Sequence, residues 1–226
     1  MAVFEYRKSV AVVIALVACS GLARAADEQA LRILHREMLK DPIEPVDAAR
    51  PGQSLRLTLA VMRGTEWRKE RILESTQRAM RILAQCGIGP VSIELIEFDG
   101  PARYRTLFTP VSRKLAAELG LPRPTVFFVE GTRNRPAFDA EAVGRSNSRT
   151  RPEMADTVWI VQGTRDLALV IAHELVHVLA DSGEHSDDAG NLMRDETAPG
   201  NTKLTPSQCG RIARTASENG LLRPRP

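Results

Sequence analysis

The residues Arg165–Ala180, RDLALVIAHELVHVLA, constrain this chain more than any other stretch. They are apolar almost all round, so a helix made of them must be largely buried. A buried helix tolerates two histidines and a glutamate only when those groups are paired or bound to a metal ion. His173 and His177 stand four residues apart, which sets both imidazoles on one helix face. Glu174 lies beside the first of them. A lone buried histidine reads as a hydrogen-bonded core residue. Two at this spacing, with an adjacent glutamate and further histidine close by, read as a metal site.

Three of the four histidines fall within His173–His185, as H-E-x-x-H with another His eight residues after the second. On a helix this spacing suits zinc, with the two histidines as ligands and Glu174 placed to take a proton from a water. A third ligand requires the chain to reverse. Asp181-Ser182-Gly183 offers the turn, because Gly183 can take a positive φ at little cost. His185 follows and is the favoured third ligand. Glu184, Asp187 and Asp188 are rival oxygen ligands. The remaining histidine, His35, has charged neighbours and reads as a surface residue.

The preceding sequence alternates strand and helix signals, which implies an α/β fold with a mixed twisted sheet. Asp27–Lys40 carries a helical stripe at residues 31, 33, 34, 38 and 39. Leu55–Met62 reads as a strand, and Thr65–Cys86 as a long amphipathic helix closed by Gly87. Val91–Phe98 alternates strictly, as a half-buried strand does. Ser112–Leu119 is a short helix stopped by Gly120. Thr125–Glu130 and Asp156–Gln162 are apolar strands. Arg133–Pro152 is a polar loop holding a candidate edge strand around Ala140–Arg145. Thr164 is a candidate N-cap for the 165–180 helix. A last helix starts at Thr205-Pro206 and runs past Cys209 towards Leu221.

Residues 1–25 read as an export signal. Arg7 and Lys8 precede the apolar run Val10–Ala18, which is too short for a bilayer span of about 20 residues. Ala23-Arg24-Ala25 is a small-x-small cleavage site. Leu16-Val17-Ala18-Cys19 is a rival lipobox, which would lipidate Cys19 and tether the protein to a membrane. Both routes lead out of the cytoplasm, to the periplasm, the medium or an outer-membrane anchor. The remaining cysteines, Cys86 and Cys209, would then meet in one disulfide, with two buried thiols as the alternative. Residues 1–25 carry Arg7, Lys8 and Arg24 against Glu5, so the remainder holds 28 basic and 27 acidic residues. That balance, with aromatics at 4% and no basic run interleaved with them, gives no argument for a nucleic-acid partner.

His173–His185 followed by Asn191-Leu192-Met193 resembles the metzincin clan of zinc endopeptidases, whose pattern is H-E-x-x-H-x-x-G-x-x-H with a later methionine-containing turn. The resemblance implies that His173, His177 and His185 bind one zinc ion, that Glu174 is the general base, and that Met193 underlies the site. It implies a zincin-like domain over residues 26–226, with an upper lobe at about 50–181 and a small helical lower lobe at about 182–226. It also implies an edge strand that holds the substrate backbone, for which Val143–Ser146 is the candidate. One departure is specific: Ala180 stands where the family has glycine, and His185 comes two residues late. A helix running about one more turn before bending at Gly183 would accommodate both changes.

The expected activity is peptide-bond hydrolysis by a monomer acting on protein or peptide substrates. Two alternatives stay open: a zinc hydrolase acting on cell-envelope material, and a secreted binding protein that keeps zinc as a structural clamp. The intact Glu174 argues against the clamp, since a structural site needs no general base. Neither tyrosine follows the motif, so a tyrosine partner for the developing oxyanion is absent.

Overall fold

The computed structural model describes residues 30–39, 52–133, 142–145, 152–196 and 198–225. In chain order the elements are β1 (Arg32–Met38), β2 (Gln53–Met62), α1 (Lys69–Leu83), β3 (Ile88–Asp99), β4 (Thr106–Leu107), α2 (Thr109–Leu119), β5 (Thr125–Val129), β6 (Gly131–Thr132), β7 (Ala142–Arg145), β8 (Thr157–Val161), α3 (Leu167–Ala180), α4 (Pro206–Glu218) and β9 (Leu222–Pro224). Strands β3, β2, β5 and β8 run parallel in the centre of the sheet. β5 (TVFFV) and β8 (TVWIV) are apolar on both faces, as strands covered on both sides must be, while β2 and β3 also carry charged residues. β1 closes one edge against β3 and β7 the other against β8, both antiparallel, giving the order β1-β3-β2-β5-β8-β7, with β9 on the start of β2. The fold is a mixed α/β sheet.

Alternation along the strands divides two cores. Leu55, Leu57 and Leu59 of β2, with Val91 and Ile93 of β3 and Val158 and Ile160 of β8, point to the face covered by α1, α3 and α4. Ala60, Met62, Ile96, Phe98, Phe127 and Trp159 point to the opposite face, where α2 lays Leu115 and Ala116. Phe127 and Trp159 stack there across β5 and β8, with ring centroids 4.2 Å apart. α3 is therefore enclosed between the sheet, α1 and α4. All but two of its residues, Glu174 and His177, are buried.

The first element departs from its sequence pattern. Asp27–Lys40 reads as a helix, yet Arg32–Met38 is a strand paired with β3. The reason lies in β3, which carries two buried carboxylates, Glu94 at 5% and Asp99 at 6% exposure. Arg36 of β1 and Arg56 of β2 each reach Glu94 at 3.0 Å. Arg32 reaches Asp99 at 3.4 Å, and Arg63 also pairs with it at 2.5 Å. Burial alone would raise the Glu94 carboxyl, but the two guanidinium groups outweigh it and hold the carboxyl below its ordinary range. As a strand, Arg32–Met38 satisfies the β3 edge and brings in two of these arginines. That tertiary demand overrides a local helical stripe.

The other elements follow the sequence within a few residues. α1 passes into a short 3-10 turn, and Gly87 ends it at φ 73. Gly120 ends α2 at φ 54. β7 occupies the expected edge, while 140–141 and Ser146 of the expected strand lie outside the described residues. Thr164 is not the N-cap of α3: its hydroxyl donates to Val161 O at 2.6 Å, and the helix starts after Asp166, which takes φ 44. α4 begins at Pro206 behind a capping box of Thr205 and Gln208. Cys86 and Cys209 form a disulfide joining the end of α1 to the first turns of α4, 123 residues apart in sequence.

Candidate metal centre

His173 and His177 sit one turn apart near the C-terminal end of α3. His173 is 4% exposed and His177 is half-buried. Their Nε2 atoms approach to 3.0 Å. The third imidazole arrives by a turn that differs from the one the sequence suggests. α3 stops at Ala180, and Asp181 takes the left-handed conformation at φ 46, ψ 49, with the next amide, of Ser182, donating to His177 O at 3.1 Å. Gly183 is not in the left-handed region, so the expected extra turn and bend at Gly183 are not formed. An aspartate adopts this conformation more readily than most non-glycine residues, since its short polar side chain can bond locally. The chain then returns to the helix end, and His185 joins the pair. The ligating atoms of His173, His177 and His185 all lie within 4.8 Å of one another.

Each imidazole is gripped on its other nitrogen. His173 Nδ1 lies 2.8 Å from Leu192 O, and His177 Nδ1 lies 2.7 Å from Ser182 O. His185 Nδ1 lies 2.8 Å from Asp195 Oδ1. Carbonyl oxygens only accept, so Nδ1 carries the proton in His173 and His177, and in their neutral rings Nε2 bears a lone pair. Two such lone pairs 3.0 Å apart cannot bond to each other. A shared cation resolves that contact, and ligand nitrogens about 2.0–2.1 Å from a tetrahedral zinc stand about 3.3 Å apart. Burial, opposed only in part by the carbonyl bonds, pushes both rings below the ordinary histidine value, His177 to about 4. Both are therefore neutral at neutral pH, as metal ligands must be. The three histidines could hold a metal ion.

The rival oxygen ligands are elsewhere. The Glu184 carboxylate pairs with Arg211 of α4. Asp187 and Asp188 are exposed, and neither belongs to the metal-ligating cluster among the described residues. Glu174 follows His173 on α3 and is half-buried. Met193 is 3% exposed and lines, with His177, His185, Val176, Gln208 and Arg211, a small cavity of about 80 Å³. His35 is on the solvent side of β1, its side chain 65% exposed.

Sequence reading missed the groups that orient the ligands. Leu192 and Ser182 act through backbone carbonyls, which carry no side-chain signal. Asp195 has no spacing rule that would link it to His185. Asn191-Leu192-Met193 stood out for its methionine, yet its closest tie to the cluster is the Leu192 carbonyl on His173.

No family model and no curated protein matches this chain. Among solved structures it is similar to metalloproteinase-II from Bacteroides fragilis, at 16% identity, over 78% of this chain and 57% of that one, with a TM-score of 0.49. The chain thus spans little more than half the length of that protein.

Proposed function

We propose that this protein is an exported zinc-dependent endopeptidase, with His173, His177 and His185 as metal ligands and Glu174 as general base. The observation that carries the reading is the convergence of three imidazoles, each held at Nδ1 by an oxygen, beside a glutamate that a purely structural site would not need. A zinc ion held there would lower the pKa of a water and polarise a peptide carbonyl. Glu174 takes the proton of the attacking water and passes it to the leaving amine, so the C–N bond breaks with no other proton source. Leu192 O, Ser182 O and Asp195 fix ring orientation and tautomer, which keeps the donor set rigid during turnover. Met193, buried in the wall of the cavity that His177 and His185 also line, would underlie the metal. Among the described residues β7 is the last strand of the sheet, and a substrate backbone would add to it as a further strand. The substrate is a protein or peptide, and the enzyme works as a monomer outside the cytoplasm.

The deciding experiment is metal analysis with a peptide-library cleavage assay on the wild type and Glu174→Gln. The variant is expected to keep zinc at the wild-type level and to lose hydrolysis by about a hundredfold or more. Hydrolysis at the wild-type rate would remove Glu174 from the mechanism. Tight zinc with no cleavage of any peptide by the wild type would instead favour a zinc-clamped binding protein.

A further inference from the structure

We infer that Gln208 of α4 is a positioning residue for the metal centre, holding the carbonyl that orients His173. The inference rests on the metal-site reading above. The Gln208 side chain is shared between two structures. Its Oε1 accepts from the backbone N–H of Thr205 at 2.8 Å, closing the cap of α4. The same Oε1 accepts from Asn191 Nδ2 at 3.0 Å, and Gln208 Nε2 donates to Asn191 Oδ1 at 3.2 Å. The two amides thus form a reciprocal pair. Asn191 is 3% exposed, and its Oδ1 also accepts from Met193 N–H at 2.8 Å. Asn191 therefore clamps the turn on both sides of Leu192, whose carbonyl accepts from His173 Nδ1. The path from α4 to the imidazole is three hydrogen-bonded steps, with every polar atom on it satisfied.

The anchor of this path is fixed from the other end. Cys209, the residue after Gln208, is bonded to Cys86 at the end of α1. Gln85, next to Cys86, accepts from Leu204 N–H at 2.8 Å and donates to Thr202 O at 2.8 Å. α4 is thereby held at the position where Gln208 meets Asn191. Without the Gln208 amide, buried Asn191 keeps its bond to Met193 but loses both of its side-chain hydrogen bonds to α4. The turn then keeps its backbone bonds, among them Leu192 N–H to Lys203 O at 2.7 Å, but loses its side-chain anchor on α4, and Leu192 O is held less firmly against His173. A ring no longer held at Nδ1 can rotate or change tautomer, and its Nε2 is no longer aimed at the common point.

The test is the zinc dissociation constant, measured by competition with a chromophoric chelator, for the wild type, Gln208→Ala, Gln208→Glu, Thr205→Val and His173→Ala. Melting of the metal-free proteins is followed in parallel. Gln208→Ala is expected to weaken zinc binding about 10- to 100-fold. Gln208→Glu keeps an acceptor for Thr205 and Asn191 but cannot donate to Asn191 Oδ1, so it should fall between the wild type and Gln208→Ala. Thr205→Val weakens the helix cap without touching Asn191, and should lower the melting temperature at unchanged zinc affinity. Loss of the His173 Nδ1–H signal from the imidazole nitrogen spectrum of Gln208→Glu would report the freed ring directly. Zinc affinity within twofold of wild type in both Gln208 variants, with binding abolished in His173→Ala, would overturn the inference. Undiminished binding in His173→Ala would overturn the metal-centre reading instead. Should Gln208→Ala not fold, Gln208→Glu alone decides.

Discussion

At the scale of residues, the site depends on imidazoles that stay neutral. Burial lowers the pKa of His177 to about 4 in the folded, metal-free protein, against about 6.5 when the chain is unfolded. Between those two values the unfolded chain binds the proton and the folded protein does not. The stabilising contribution is therefore complete above pH 6.5 and is lost as pH falls towards 4, and His173, lowered for the same reason, adds in the same direction. Linkage gives about 2 kcal/mol lost between pH 7 and pH 5 from His177 alone. Urea unfolding of metal-free protein at those two pH values should show the loss, and His177→Phe should reduce it, leaving the part due to His173. A wild-type stability that is level or rising as pH falls would contradict the burial of this ring.

At the scale of elements, the turn after α3 is where the chain departs from its expected course. Asp181 holds a left-handed conformation that glycine adopts with less strain, and it faces the half-buried Asp156. Burial raises the Asp156 carboxyl, and the Asp181 charge adds to that against the opposing Arg123. Asp181→Gly relieves both the backbone and the like charge, and is expected to raise stability by about 0.5–1 kcal/mol without loss of zinc affinity. Denaturant midpoints with zinc titrations would check this, and a destabilised variant would show that the Asp181 side chain supports the turn. This turn also marks the limit of what the sequence discloses. α3 and the pairing of His173 with His177 on one of its faces were readable because burial, period and polar content agree within one helix. The alternation of β3 and the Gly87 and Gly120 stops were readable for similarly local reasons, and the Cys86–Cys209 pairing because only two cysteines follow residues 1–25. β1 was not, because its strand conformation answers to Glu94 and Asp99, some sixty residues away. The left-handed residue was placed at Gly183 on conformational preference, while the helix end at Ala180 set it at Asp181. The grip on each Nδ1 comes from backbone oxygens and an exposed aspartate, whose partners only the fold brings near.

At the scale of the whole molecule, the disulfide and the proposed metal ion would cross-link the same corner. The disulfide closes a loop of 123 residues in sequence separation and ties α1 to α4. In the chain-entropy account a closure of this length stabilises by about 5 kcal/mol, with strain and residual structure lowering that figure in practice. A metal ion at a thousandfold above its dissociation constant contributes about 4 kcal/mol by mass action. The two would add if they acted on independent parts of the fold. Gln208 adjoins Cys209 and reaches His173 through Asn191 and Leu192, so they are not independent. Reduction is expected to let α4 shift relative to α1, slacken the Leu192 carbonyl and weaken the proposed metal site. At fixed zinc concentration the ion should therefore stabilise the reduced protein less than the oxidised one. Urea unfolding of the four states, oxidised and reduced, with and without zinc, measures that difference as a coupling energy, expected at about 0.5–3 kcal/mol. Cys86→Ser with Cys209→Ser should give the same coupling without reductant, which excludes competition of the reductant for zinc. Equal zinc increments in both redox states would confine the disulfide to holding α1 and α4 together and detach it from the metal centre.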